Sequence, residues 1–264
     1  MNDTSSAAVK EKVMAETQRK KGAPRRRPAL WIVLAILLLL AAGTAIYASD
    51  YYHAEPEALA LLKDGVPGVR LRQMDGRIDF IPEEPRAGLV FYPGGKVEYT
   101  AYAPLMAELA QEGILCVLLK MPLNLAVLGQ NVAAGIPEEY PDIPFWMLAG
   151  HSLGGAMAAS FAAGHADEYD ALVLLAAYST ADLRESGLAV LSLYGTEDKV
   201  LNREKYEKYQ KNLPRDTEEI VIEGGCHAYF GAYGAQKGDG EPAITRKEQT
   251  EATVREITSL AVQP

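Results

Sequence analysis

The first chemistry in this sequence lies in the stretch Gly150-His151-Ser152-Leu153-Gly154. An apolar run, Phe145 to Ala149, leads into it, and an alanine-rich stretch, Leu153 to His165, leads out. Strand, glycine, serine, glycine and helix in that order make the Gly-x-Ser-x-Gly nucleophile elbow. A serine on so tight a turn sits in strained backbone with its hydroxyl exposed. The positions two before and two after it are crowded and suit a residue without a Cβ. The helix that follows aims amides and the positive end of its dipole at a developing oxyanion. The plain alternative is a glycine-rich strand–helix turn with no catalytic role.

A serine alone is a poor nucleophile; it needs a base, and the base needs an acid to orient it. The chain has four histidines. His53 adjoins a long apolar segment, His151 lies inside the elbow with its side chain expected to point away from the serine, and His165 ends the following helix. His227 comes after a short strand, Ile220 to Ile222, through Glu223-Gly224-Gly225-Cys226. That is the C-terminal end of the last strand, where sites gather in open α/β sheets. The acid should fall between serine and histidine in chain order. Asp198, in the acidic turn that ends Leu191 to Asp198, is the choice, with Glu197 its nearest competitor.

These residues need a scaffold. The short apolar runs Gly88 to Tyr92, Ile114 to Leu119, Phe145 to Ala149, Ala171 to Ala176 and Ala189 to Tyr194 read as strands buried on both faces of a parallel sheet. Val69 to Gln73 and Arg77 to Ile81 alternate around Asp75-Gly76, a hairpin signal. Helical patterns fill the gaps at Tyr99 to Gln111, Leu153 to His165, Arg203 to Asn212 and Arg246 to Ala261. Strand alternating with helix reads as α/β, and residues 55–264 read as one domain.

Charge divides the chain. Residues 1–49 hold eight Lys/Arg against three Asp/Glu, a balance of +5; with −9 overall, the remainder carries −14. An acidic body argues against nucleic acid as a partner. Ala29 to Ser49 carries no charge. At about 1.5 Å rise per residue it is long enough to span a hydrocarbon core of roughly 30 Å. The basic residues Lys20 to Arg27 before it place the N-terminus in the cytoplasm and the body across the cell membrane. The expected order is a disordered basic tail over 1–28, a single-pass membrane anchor over 29–49 and the globular body over 55–264. A signal peptide cleaved near Gly43-Thr44-Ala45 is the competing reading. The two cysteines, Cys116 and Cys226, are too few for a disulfide scaffold, and their spacing suggests no zinc site.

The serine elbow, Tyr194-Gly195-Thr196-Glu197-Asp198 and then His227, on this strand pattern, resemble the α/β-hydrolase superfamily over roughly 69–260. Within it the chain is similar to small lidless members related to the dienelactone-hydrolase group, and more narrowly it resembles a bacterial hydrolase family of that kind. Three stretches carry the narrower likeness: Phe91 to Lys96, Lys120 to Ala126 and Cys226 to Gly231. Dienelactone hydrolases proper use a cysteine nucleophile, so their substrate does not carry over to Ser152. The resemblance implies an α/β-hydrolase fold, here preceded by one transmembrane helix. It implies a Ser152–His227–Asp198 triad and oxyanion donors from the amides of Leu153 and Gly95. Lys96 is open between adding charge there and facing solvent.

The connection Tyr178 to Leu188 leaves little room for a cap. Asn124 to Gln130 and the aromatic stretch Tyr229 to Gly240 are then the candidate walls, the alternative for the latter being that its rings pack under the last helix. Asp239 alone is a weak cation ligand, and no metal or other cofactor is expected. The chemistry implied is hydrolysis of an ester or related acyl bond in a small molecule. Acyl transfer on the same triad and a non-catalytic membrane-tethered binding domain remain the alternatives.

Overall fold

A computed structural model describes residues 4–19 and 28–261, with only part of the side chains before residue 50. The chain divides into two units, Met1–Ser49 and Asp50–Pro264.

The first unit holds helices α1 (Thr4–Arg19) and α2 (Pro28–Ser49). Helix α1 falls within the basic tail expected over 1–28. Ala7, Ala8, Lys10, Glu11, Lys12, Met14, Ala15 and Glu16 are strong helix formers, and no Gly or Pro interrupts them. The backbone of α2 is helical throughout and its sequence carries no charged residue. Several of its side chains lie outside the described residues, and among the described residues no helix is long and apolar enough to cross a membrane.

The second unit is one eight-stranded sheet: β1 (Val69–Met74), β2 (Arg77–Pro82), β3 (Ala87–Tyr92), β4 (Ile114–Leu119), β5 (Trp146–His151), β6 (Ala171–Leu175), β7 (Ala189–Gly195) and β8 (Glu218–Ile222). The strand order is β1-β2-β4-β3-β5-β6-β7-β8. The β1–β2 hairpin joins β4 antiparallel, and every pair from β4 through β3 to β8 is parallel. Alternate side chains on a strand point to opposite faces. Leu89, Phe91, Met147 and Val173 therefore pack into one core, and Val90, Tyr92, Leu148 and Leu174 into the other.

Helices α4 (Ala103–Gln111), α5 (Leu153–Ala162), α6 (Arg203–Tyr209) and α7 (Arg246–Leu260) match the expected segments within a few residues. A helix that the apolar pattern did not suggest, α3 (Pro56–Asp64), precedes the hairpin. Its boundary signals were nonetheless present: Pro56 in the first turn, Lys63 in the last and Gly65 after it at φ 88°. The second unit also starts earlier than residue 55. The Tyr52 amide donates to Lys96 O at 2.7 Å, and the Glu98 amide to Tyr52 O at 2.9 Å. One bridging residue has no periodicity to read. β8 is an edge strand with one face in solvent, so its Glu218 and Glu219 fall outside any apolar run.

Leu148 is fully buried on β5, between β3 and β6. Leu148→Ala is expected to cost about 2–5 kcal/mol of stability. Urea unfolding should show a lower midpoint at an unchanged slope.

Candidate active site

The elbow is built by steric exclusion. Ser152 sits between β5 and α5 at φ 53°, ψ −122°. Its amide donates to Leu175 O on the neighbouring strand β6 at 2.9 Å. A Cβ on Gly150 would come within 2.6 Å of Gly154 and Gly155 backbone atoms, and one on Gly154 would run into Tyr92 O and Pro93 O at the end of β3. The serine is half-buried and lines a cavity of about 240 Å³ with Ala156, Ala177, Tyr178, Leu201 and His227.

His227 is 1 % exposed, and its Nδ1–H donates to Asp198 Oδ2 at 2.8 Å. The Asp198 carboxylate is buried and fully engaged, because Oδ1 accepts the amides of Val200 at 2.9 Å and Leu201 at 2.8 Å. Its neighbour Glu197 is half-buried, and no hydrogen bond joins it to the histidine. With Nδ1 holding the proton toward Asp198, Nε2 carries the lone pair. That nitrogen is buried without a hydrogen-bond partner among the described residues, and His227 shares the cavity with Ser152. No hydrogen bond joins Ser152 to His227; such bonds often close only around substrate.

The two amides expected as oxyanion donors belong to neighbouring residues. Leu153 N–H opens α5, and Gly95 N–H lies in the loop after β3; neither donates to an acceptor among the described residues. The two residues are neighbours, since a Cβ on Gly95 would lie 2.8 Å from Leu153 Cδ2. Lys96, left open above, pairs through Nζ with Asp50 at 2.7 Å.

The expected walls do not line the cavity. Residues after β6 and β7 do, and no regular element intervenes between Leu175 and Ala189. In the stretch Tyr229 to Gly240, Phe230 and Tyr233 are buried instead, with ring centroids 5.5 Å and 6.5 Å from that of His151. His165 caps α5, with Nδ1 at 3.0 Å from Phe161 O and its ring stacked on Phe161 at 3.9 Å. Both cysteines are free and buried, and burial pushes the Cys226 thiol up to about 12.

Three supporting contacts had no sequence signal. Gln249 on α7 is fully buried. It accepts from the Cys226 amide at 3.0 Å and donates to Cys226 O at 2.9 Å, fixing the residue before the base. Asp239 braces the loop from the other side, accepting the amide of Ala228 at 2.8 Å and that of Gly240 at 2.9 Å. The third is a chain of hydrogen bonds. The Gly94 amide donates to Tyr102 Oη at 3.0 Å, and the phenol lies 2.8 Å from His151 Nδ1. The His151 ring in turn packs 4.5 Å from that of His227. The hydrogen bonds run from the loop after β3 to His151, the residue before the serine, and ring packing continues the contact to His227. Burial, then the neighbouring His227, holds the His151 imidazole well below the usual histidine range, so it stays neutral.

The alpha/beta hydrolase family profile matches residues 88–251. No curated protein matches by sequence. Among solved structures, the chain is similar to a protein from Thermus thermophilus at 15% identity, TM-score 0.57, over 74% of this chain and 99% of that one. It is similar to a monoacylglycerol lipase of Paleococcus ferrophilus at 15% identity, TM-score 0.54, over 72% and 99%. It is also similar to a thermophilic esterase of Thermogutta terrifontis at 14% identity, TM-score 0.51, over 74% and 93%. At such identities these likenesses carry the fold alone.

Two outcomes follow from the geometry. Gly154→Ala should displace the elbow from β3 and abolish reaction of Ser152 with an active-site phosphonate, while Gly164→Ala, at an open position near the end of α5, should not. His151 sets an acid limit on stability. Below about pH 6.5 the unfolded chain takes up a proton there that the folded chain refuses, so this contribution is complete above that pH and lost as pH falls. Calorimetry should show a smaller drop in Tm from about pH 7.5 to about pH 5.5 in His151→Gln than in the native chain.

Proposed function

From the chain's membership of the alpha/beta hydrolase family, we propose that it is a membrane-anchored serine hydrolase that cleaves an ester or related acyl bond. One observation carries the reading. The His227–Asp198 pair is buried, with Nε2 unpartnered, in the cavity lined by a serine held at φ 53°. In that arrangement His227 Nε2 takes the Ser152 proton as Oγ attacks the substrate carbonyl. Asp198 holds the ring and stabilises its charged form. The amides of Leu153 and Gly95 receive the oxyanion, each worth roughly 3–4 kcal/mol in the transition state. His227 returns its proton to the leaving alcohol. Water, activated by the same nitrogen, then releases the acid from Ser152.

The substrate class has two supports. The cavity is small and mostly apolar, which suits a modest acyl group. Lipases and esterases are among the similar folds. The uncharged Ala29 to Ser49, helical in backbone and preceded by basic residues, supports a cell-membrane anchor with the N-terminus cytoplasmic and the body extracytoplasmic.

The test is labelling of the full-length protein with a fluorophosphonate. The native chain should label and Ser152→Ala should not. Asp198→Ala should label about ten-thousand-fold more slowly, as loss of the orienting acid demands. A folded native chain that stays unlabelled would leave a binding domain as the better reading.

A further inference from the structure

Residues 121–137 contain no Asp, Glu, Lys, Arg or His, in a body whose balance is −14. Met121, Ala126, Ala133 and Ile136 of this uncharged stretch are buried in the core, and other apolar side chains of it face outward. Leu123 is 51% exposed, Val127 and Leu128 55% each and Val132 42%, an apolar group collected on one surface segment. A patch of this kind marks an interaction site more often than a solvent face. The backbone reinforces that reading. Leu123 and Asn124 have φ 51° and 54°, a region that costs a side-chain-bearing residue about 1–2 kcal/mol. Leu123 is thus strained and exposed at once, and serves no core.

The tether points to the occupant. The chain leaves the apolar Ala29 to Ser49 directly into Asp50, and by Tyr52 its backbone is bonded to Lys96 and Glu98. Three residues span at most roughly 10 Å. The Lys96 amide donates to Asn124 O at 2.7 Å, so the exposed segment is joined to Tyr52, the fixed end of the tether, by two hydrogen bonds through Lys96. Polar headgroups add about 5–7 Å outside the hydrocarbon on each side. With Ala29 to Ser49 as an anchor, a tether this short keeps Tyr52 within reach of the headgroups, and a segment without charged residues enters that layer without desolvating a charge.

We infer that residues 121–132 dock on the bilayer surface, so that Ser152 draws its acyl ester from the membrane rather than from solution. The inference rests on the anchored-hydrolase reading above. The same edge carries Gly95 and the mouth at Ser152, since both lie at the C-terminal ends of β3 and β5. A docked body opens its cavity toward amphiphiles whose heads sit in the interface.

The test uses the full chain in phosphatidylcholine vesicles whose acyl chains carry a nitroxide quencher. Cys116 and Cys226 are buried, so a fluorophore directed to Val127→Cys or to the control Glu84→Cys, before β3 at the opposite sheet edge, reports one position. Quenching at position 127 at least fivefold above that at position 84 is expected. Equal quenching in a chain that resists alkaline carbonate extraction would overturn the docked face. Release of the chain by carbonate would overturn the anchor and the docked face together. Fluorophosphonate labelling of the same samples separates the catalytic reading: a labelled Ser152 beside an unquenched 127 sinks only the membrane-facing site. In turnover, Leu123→Asp with Val132→Asp should lower hydrolysis of a bilayer-resident monoacylglycerol about tenfold relative to a water-soluble acetate ester. An equal change on both substrates would contradict the inference.

Discussion

The crossing of the Ser152 turn beneath the end of β3 is the constraint on which the site depends. The backbone of α5 passes so close to Tyr92 O and Pro93 O that Gly154 has no room for a side chain, and Gly150 has none against the first turn of the helix. Ser152 must then take φ 53°, a region that L-residues avoid, and its amide is held by β6. The strain persists because three parallel strands fix the chain on either side of it. Five described residues other than glycine have positive φ: Lys96, Leu123, Asn124, Ser152 and Ala176. All follow the C-terminal ends of β3, β4, β5 or β6, so backbone strain gathers on the edge where the chemistry lies.

The base is held differently. Strain places the serine, whereas satisfied polar groups place the histidine. Asp198 spends one oxygen on His227 and the other on two amides of its own turn. The loop carrying His227 is braced by Gln249 from α7 and by Asp239 from further along the same loop. α7 starts with a capping box between Thr245 and Glu248, which fixes the register that brings Gln249 to Cys226. The imidazole shares the cavity with Ser152, and its Nδ1 and flanking backbone are bonded within the protein.

Much of this was legible in the residues. Strand positions followed from apolar runs because a doubly covered parallel strand has no polar face to interrupt the pattern, as in Ile114 to Leu119. Ser152, Asp198 and His227 could be singled out because turn chemistry and chain order are local or ordinal properties. What stayed hidden depends on distance in space. Gln249 lies 23 positions from the backbone it supports, and Tyr102 lies 49 from His151. No spacing rule links them. The cavity walls were misassigned for the same reason: the aromatic stretch after His227 looks like a binding surface in sequence, but folds inward around His151.

That inward fold bears on why an ionisable residue stands before the serine. A histidine buried beside His227 invites a second charge next to the one that would form there in the proposed mechanism. His151 avoids it by remaining neutral, and the Tyr102 phenol settles how. Its oxygen accepts from Gly94, so its proton points to His151 Nδ1 and fills the site where a proton would otherwise add. Burial lifts the phenol too, so it stays protonated and the chain keeps one polarity. The loop that offers the Gly95 amide and the ring packed against the base are thereby tied through a single uncharged path. Moving either would break a buried hydrogen bond, which links the oxyanion corner to the position of His227 without placing a charge between them.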